Sequence, residues 1–113
     1  MQAIGVDLGG TKLHAALFSL TGEIIADRTV LLEGRTGQQV AALIVTICNV
    51  LMEEQGISPE DEKRVGICVP GIADTRTDRV WAPNIPGWNS FPLKEYITNA
   101  MPGTETDRKS TRL

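Results

Sequence analysis

Alternating or β-prone runs of residues cover positions 4–8, 13–18 and 23–30 of the chain. A period of two between apolar and polar residues is typical of strands that bury one face. Glycines at positions 9–10 and 22 separate the runs and permit tight turns. The pattern therefore predicts an antiparallel meander of three strands at the start of the chain.

The period changes to that of a helix after residue 36. Apolar residues then fall on one helical stripe, formed by Val40, Leu43, Ile44, Ile47 and Leu51. Thr36 and Gln39 match a capping box, in which each side chain reaches the backbone of the other residue. Gly56 is a natural C-terminal stop. We predict a helix that starts near Gly37 and packs on the sheet through this stripe.

The rest of the chain predicts one more strand, a loop and a short helix. The apolar run at 64–71, RVGICVPG, is typical of a buried central strand, and a crossover would place it parallel to the first strand. Residues 83–92 contain three prolines and predict a loop, and 92–101 resembles an amphipathic helix. The pattern therefore predicts an α/β domain over 1–101 and a polar tail over 102–113, truncated or disordered.

Composition excludes several classes of protein. The chain has 113 residues, of which 42% are hydrophobic and 22% charged, as expected of one globular domain. The net charge is -3 and the basic residues are scattered, which argues against a nucleic-acid partner. We see no signal peptide and no apolar stretch long enough to span a membrane, so we expect a cytoplasmic protein.

The cysteines and the histidine carry little sign of chemistry. Cys48 and Cys68 lie in apolar surroundings without a CxxC pair, so we interpret both as buried thiols of a reducing compartment. A disulfide or half of a metal site is the alternative. His14 lies in a strand pattern, which favours a packed or surface residue over a ligand or a base.

The turn after the first strand has the groups of a phosphate site. Gly9 and Gly10 leave room for backbone N–H groups to approach an anion, Thr11 adds a hydroxyl and Lys12 a positive charge. Asp7 would repel phosphate directly, so it suggests a Mg²⁺ ion or its water shell in between. The stretch is neither a P-loop nor a GxGxxG fingerprint. A glycine hairpin turn with incidental polar neighbours is the alternative.

Two segments resemble the ROK family of sugar kinases. IGVDLGGTKLHAALF, starting at residue 4, is similar to the first phosphate motif of that family. VGICVPGIADTRTDRVWAPNIPGW, starting at residue 65, is similar to a later family segment that carries an Asn ahead of a tryptophan. The resemblance implies the N-terminal domain of an actin-like ATPase, a ribonuclease H-like fold with a mixed sheet. It also implies phosphorylation of a hexose or N-acetylhexosamine hydroxyl with ATP and Mg²⁺.

The resemblance also implies roles for individual residues. It assigns a group to the phosphates of ATP: Asp7, Gly9, Gly10, Thr11 and Lys12. Asp7 would hold Mg²⁺ through water. Gly71 and Asn84 match positions that line the sugar in the family, although Asn84 between prolines also has a plain turn-forming alternative. Trp81 and Trp88 could stack on a sugar, but core or loop packing is the interpretation we favour.

The family's catalytic aspartate has one candidate, Asp107. The Asp107–Arg108 pair is similar to an Asp-Arg form of the family motif, but no apolar helix follows it. A residue of the polar tail is the alternative. The C-terminal kinase domain, which completes the site in the family, has no counterpart in these residues. We therefore expect the 113-residue chain to be inactive by itself and to self-associate through its exposed apolar surface, as a possible homo-oligomer.

Two other functions compete with the kinase. ROK transcriptional regulators bind sugars without phosphoryl transfer and carry a winged helix ahead of the ATPase-like domain. Here the first strand begins almost at Met1 and the phosphate motif is intact, which favours the kinase. A non-catalytic domain fragment is the third interpretation.

Overall fold

A computed structural model of the chain describes residues 2–58 and 61–110, with side chains described over 2–58 and 61–104. The N-terminal meander is present as predicted. Strands β1 (Gln2–Leu8), β2 (Lys12–Phe18) and β3 (Ile24–Leu31) pair antiparallel in sequence order. The hairpin between β1 and β2 closes with the pair Leu8–Leu13, directly beside the glycine turn.

The predicted helix and the crossover strand follow. Helix α1 spans Gln38–Glu54, and β4 (Lys63–Val69) pairs parallel with β1. The α/β fold with a mixed sheet is thereby confirmed. The stripe is also confirmed, with Val40, Ile44, Ile47 and Leu51 buried and Leu43 half-buried.

The ends of α1 show which capping bonds form. Gly37 is the N-cap residue, and half of the predicted capping box is present, because the Thr36 N–H donates to Gln39 Oε1 at 3.2 Å. Gly56 stops the helix with a φ of 72°. The N–H of Ile57 reaches the Met52 carbonyl at 2.9 Å, a Schellman closure of the last turn.

Further elements after β4 are shorter. Strands β5 (Ile72–Asp74) and β6 (Arg79–Trp81) form a separate two-stranded hairpin, which the sequence pattern did not predict. Helix α2 (Leu93–Ala100) lies within the segment predicted to be helical. No helix in the described part of the chain is long and apolar enough to cross a membrane.

The segment predicted to be a polar tail, truncated or disordered, contains a strand over most of its length. Residues Thr104–Ser110 form strand β7, which pairs parallel with β4 and completes a five-stranded sheet in the order β3-β2-β1-β4-β7. The physical reason is that the edge of β4 offers backbone donors and acceptors, which pair with a strand of almost any composition. Residues 111–113 of the predicted tail lie outside the described residues.

The sheet buries one face and leaves the other open. Ile4, Val6 and Leu8 of β1 belong to a single buried cluster that includes the inner stripe of α1. Residues of the opposite face line a cavity of about 370 Å³, among them Gly5, His14 and Cys68. Cys48 is buried as expected, whereas Cys68 is half-buried on the open face, and neither forms a disulfide within the described part of the chain.

Candidate functional site

Strand β1 delivers Asp7 to the glycine turn. Asp7 is exposed and pairs in register with His14 of β2 and Cys68 of β4. Because alternate residues of a strand point to opposite faces, Ile4, Val6 and Leu8 in the core force Asp7 onto the open face. The carboxylate is thus held at the carboxyl end of a central strand, with its neighbour Leu8 as a buried anchor.

The turn itself is closed by backbone hydrogen bonds. The Gly9 N–H donates to the Lys12 carbonyl at 2.9 Å, and the Thr11 carbonyl accepts from the Leu32 N–H at 2.9 Å. Among the described residues, no backbone carbonyl accepts from Gly10 or Thr11 across this turn. Two successive N–H groups in an exposed turn, with the Thr11 hydroxyl beside them, suit the oxygens of a phosphate.

Glycine at positions 9 and 10 is explained by the lack of room for a side chain and not by the backbone angle φ. Neither Gly9 nor Gly10 has a positive φ. A Cβ at Gly9 would lie 3.3 Å from the Lys12 carbonyl oxygen, and a Cβ at Gly10 would lie 3.2 Å from the Cβ of Asn84. The second contact joins two distant parts of the sequence, because the predicted sugar residue lies directly over the predicted phosphate turn.

The loop that carries Asn84 is compact. The Ala82 N–H donates to the Trp88 carbonyl at 2.8 Å, and the Trp88 N–H donates to the Ile85 carbonyl at 3.1 Å. Ala82, Ile85 and Trp88 are buried, whereas Asn84 is exposed. The loop therefore presents the Asn84 amide to solvent from a base that is packed in the core.

Position 71, which lies against the start of this loop, requires glycine for a steric reason. A Cβ at position 71 would lie 2.0 Å from the Trp81 carbonyl oxygen and 2.8 Å from the Cα of Ala82. No larger residue fits there, because the neighbouring atoms are backbone. The approach of a sugar to Gly71, which the family resemblance implies, stays a prediction.

The structure thus brings together one group of predicted residues, which we call the turn–loop site: Asp7, Gly9, Gly10, Thr11, Lys12 and Asn84. Lys12 opens β2 and is exposed. By strand alternation it shares the open face with His14, and therefore with Asp7. The site is exposed and carries one carboxylate, one ammonium and polar groups that both donate and accept.

The turn–loop site offers a Mg²⁺ ion a single protein carboxylate, that of Asp7. Within the described residues, no group of three or more His, Cys, Asp or Glu side chains could hold a metal ion. A single carboxylate matches Mg²⁺, which keeps several waters and takes its other ligands from substrate phosphates. Asp7 would therefore hold the ion through one carboxylate or through its water shell.

Asp107, the predicted catalytic residue, lies in the middle of β7, in register with Gly66 of β4. Its side chain lies outside the described residues. Gly66 is in turn level with Gly5 of β1, so Asp107 is two residues back along the sheet from the level of Asp7. Its role as a base stays a prediction.

Sequence reasoning missed the residues that seat the Asn84 loop. The Gly37 N–H donates to the Pro86 carbonyl at 2.7 Å, and a Cβ at Gly87 would lie 2.8 Å from the Cα of Gly37. The PGW run at 86–88 was a local signal for a turn, but no local signal pointed to its partner at the start of α1. The packing role predicted for Trp88 is confirmed, since the residue is fully buried.

Comparison with known proteins adds sequence relatives of two kinds. The glucokinase of Thermotoga maritima is 33% identical over 100 residues, which cover 86% of this chain and 30% of that protein. The xylose repressor of Bacillus spizizenii is 30% identical over 95 residues, which cover 84% of this chain and 24% of that protein. The chain therefore spans about a quarter to a third of the length of these relatives.

A solved structure shows the same fold. A ROK family glucokinase from Streptomyces griseus, solved in complex with glucose and AMPPNP, superposes with a TM-score of 0.73 at 26% identity. The match covers 97% of this chain and 33% of that one. Residues 3–104 match the sequence profile of the ROK family. The predicted actin-like ATPase fold is confirmed, and the chain belongs to the ROK family.

Proposed function

We propose that this chain supplies part of the phosphate and sugar site of an ATP-dependent kinase for a hexose or an N-acetylhexosamine. The observation that carries the proposal is the contact between Gly10 and Asn84. It sets a turn suited to phosphate against an amide suited to sugar hydroxyls, which is the juxtaposition that phosphoryl transfer between the two requires. The ROK glucokinases among the similar proteins support the proposal.

Five residues of the turn–loop site have ligand roles in this proposal, and Gly9 closes the turn through its bond to the Lys12 carbonyl. The N–H groups of Gly10 and Thr11, with the Thr11 hydroxyl, donate to phosphate oxygens, and Lys12 adds positive charge. Asp7 orients the hydration shell of Mg²⁺, which when bound neutralises charge on the phosphates. Asn84 donates to one sugar hydroxyl and accepts from its neighbour. Asp107 is the candidate base that accepts the proton of the attacking hydroxyl.

The remaining parts of such a site would come from elsewhere in the protein. The chain spans about a third or less of the two relatives, so the nucleotide pocket and further sugar contacts are assigned to residues outside it. Phosphoryl transfer needs a site closed from water, with both substrates positioned. An exposed turn and loop bind and orient groups but do not exclude water.

A sugar-responsive regulator is the second candidate function. The observation that favours it is the match to xylose repressors, at 27–32% identity and with similar coverage of this chain. Under this alternative Asn84 would still contact a sugar, but Asp7 and Lys12 would have no catalytic role. The effect of an Asp7 substitution on turnover therefore distinguishes the two functions.

The test uses the complete open reading frame that encodes this chain. Sugar-dependent ADP release is measured with glucose, mannose, fructose and N-acetylated hexoses, and sugar binding is measured by calorimetry. For the kinase we expect turnover with at least one sugar, and Asp7→Ala should mainly lower kcat with Mg·ATP. Glu53→Ala, which removes an exposed carboxylate of α1, is the matched control and should leave kcat unchanged.

The sugar side is tested with Asn84→Ala. Loss of the amide should weaken transition-state or sugar binding by about 1–3 kcal/mol, which is roughly 5- to 150-fold in kcat/KM for the sugar. Asn89→Ala, at an exposed asparagine nearby in the chain, is the control. Sugar binding without turnover would replace the kinase by the regulator, and neither binding nor turnover would exclude both.

A further inference from the structure

Both backbone polar groups of Gly37 are used by the Asn84 loop. The Gly37 N–H donates to the Pro86 carbonyl at 2.7 Å, and the Gly37 carbonyl accepts from the Trp88 indole Nε1–H at 2.8 Å. Gly37 is the N-cap of α1, with φ 51° and ψ −126°, a combination that favours glycine strongly over other residues. One residue at the start of the long helix therefore fixes the loop at two points.

The loop also packs against Gly37 without room for a further atom between them. A Cβ at Gly87 would lie 2.8 Å from the Cα of Gly37 and 3.0 Å from its nitrogen. Two glycine backbones therefore touch directly, which sets the distance between the loop and α1. Side chains would hold this distance less firmly, because they change rotamer.

Trp88 is held on its other side as well. Its ring is fully buried and stacks on Phe91, with the centroids 4.8 Å apart and the planes 4° from parallel. Phe91 is bound to Val80 by two backbone hydrogen bonds, of 2.8 Å and 2.9 Å. The indole therefore bridges the start of α1 and the β5–β6 hairpin.

We infer that Gly37, Gly87 and Trp88 form a latch, the Gly37–Trp88 latch, and that Trp88 is a positioning residue for sugar recognition. Asn84 lies four residues before Trp88 in a loop closed by backbone hydrogen bonds. The position of this loop relative to α1 therefore determines where the Asn84 amide lies over Gly10. The latch thus ties the sugar contact to α1, whereas the phosphate contact is tied to the sheet. The inference rests on the proposed function, since it assigns Asn84 to a sugar.

The first arm of the test measures the loop itself and needs no activity. Trp88→Phe keeps an aromatic ring against Phe91 and removes the indole N–H, while Trp81→Phe, at a half-exposed tryptophan, is the matched control. Amide hydrogen exchange at Gly37, Ile85 and Trp88 should accelerate about tenfold or more in Trp88→Phe, because these amides donate within or to the loop. The amides of β1 and β2 should keep their rates. Unchanged exchange in the loop would overturn the latch.

The second arm uses kinetics of the complete open reading frame. A positioning role predicts a rise of about 5- to 50-fold in KM for the sugar, with KM for ATP within about twofold of the parent. A merely structural role predicts fewer active molecules, which lowers kcat and leaves both KM values unchanged. That second pattern would overturn the positioning role even where the loop exchanges faster.

A double-mutant cycle decides whether Trp88 acts through Asn84. If it does, Trp88→Phe has no further effect on the sugar KM once Asn84→Ala is present, and the two effects are not additive. Full additivity would overturn the inference. If Trp88→Phe does not fold, Gly37→Ala tests the same bonds, because its Cβ meets open space and only the backbone conformation is strained. If the parent protein neither binds nor turns over sugar, the proposed function fails, and the exchange arm still decides whether the latch holds the loop.

Discussion

Gly87→Ala is the substitution that tests the contact between the Asn84 loop and α1 most directly. Gly87 has a φ of 88°, and its Cβ would lie 2.8 Å from a backbone atom of Gly37. Two costs therefore add. An L side chain is disfavoured at this φ, and the loop must move away from α1 to admit the new methyl group.

The two costs are separable because the chain contains a matched glycine. Gly22 has a φ of 89°, and a Cβ there meets nothing within 4 Å. Alanine in the left-handed region costs about 1–2 kcal/mol, offset in part by about 0.4–1 kcal/mol from the stiffer unfolded chain. These terms are common to both sites. Overpacking against backbone adds about 1–3 kcal/mol at Gly87 only.

The assay is urea unfolding of the chain, followed by circular dichroism and tryptophan fluorescence. We expect Gly87→Ala to lower the free energy of unfolding by about 1–3 kcal/mol more than Gly22→Ala, with unchanged m-values. Equal losses at the two sites would refute the packing of Gly87 on Gly37. A larger loss at Gly22 would refute the assignment of open space around it.

Two further predictions concern buried groups near the start of β4. Burial raises the pKa of the Cys48 thiol to about 12, so this thiol stays protonated and unreactive at about pH 8 in the folded chain. A thiol reagent at that pH should label half-buried Cys68 in the folded chain and Cys48 only on unfolding. Equal labelling rates for the two cysteines would contradict this. Burial lowers the pKa of Lys63 from its ordinary 10.5, so the unfolded chain binds that proton more tightly and the free energy of unfolding should rise with pH toward 10.5. Unfolding of the parent and of Lys63→Met between about pH 8 and 10.5 measures the difference, and equal slopes would exclude Lys63 as the source.

The sequence alone determined most of the regular structure. The period-two runs predicted the meander, and the helical stripe predicted α1, because burial on one face imposes these periods locally. The apolar run at 64–71 predicted a central strand, and β4 does lie between β1 and β7, although the residues of its second face are exposed or half-buried. The turn proposed to bind phosphate, from Asp7 to Lys12, could also be predicted locally, because its polar groups and glycines lie within six consecutive positions.

Other features depended on contacts between distant segments. Strand β7 has no apolar alternation and exists because the edge of β4 supplies hydrogen-bond partners. The structure places Gly10 beside Asn84 and Gly71 beside the Trp81 backbone, and no local pattern in the sequence indicated either neighbour. The need for glycine is therefore set by a neighbour that is far away in sequence.

The seating of the Asn84 loop is the clearest case. Nothing in the PGW run at 86–88 specifies that its carbonyl and its indole N–H meet one residue at the start of α1. That pairing is decided by the packing of the helix on the sheet, which brings Gly37 beside Gly87 and leaves no space for a Cβ on Gly87. Local patterns fix elements through their own periodicity, whereas the relative position of two loops follows only from the assembled core.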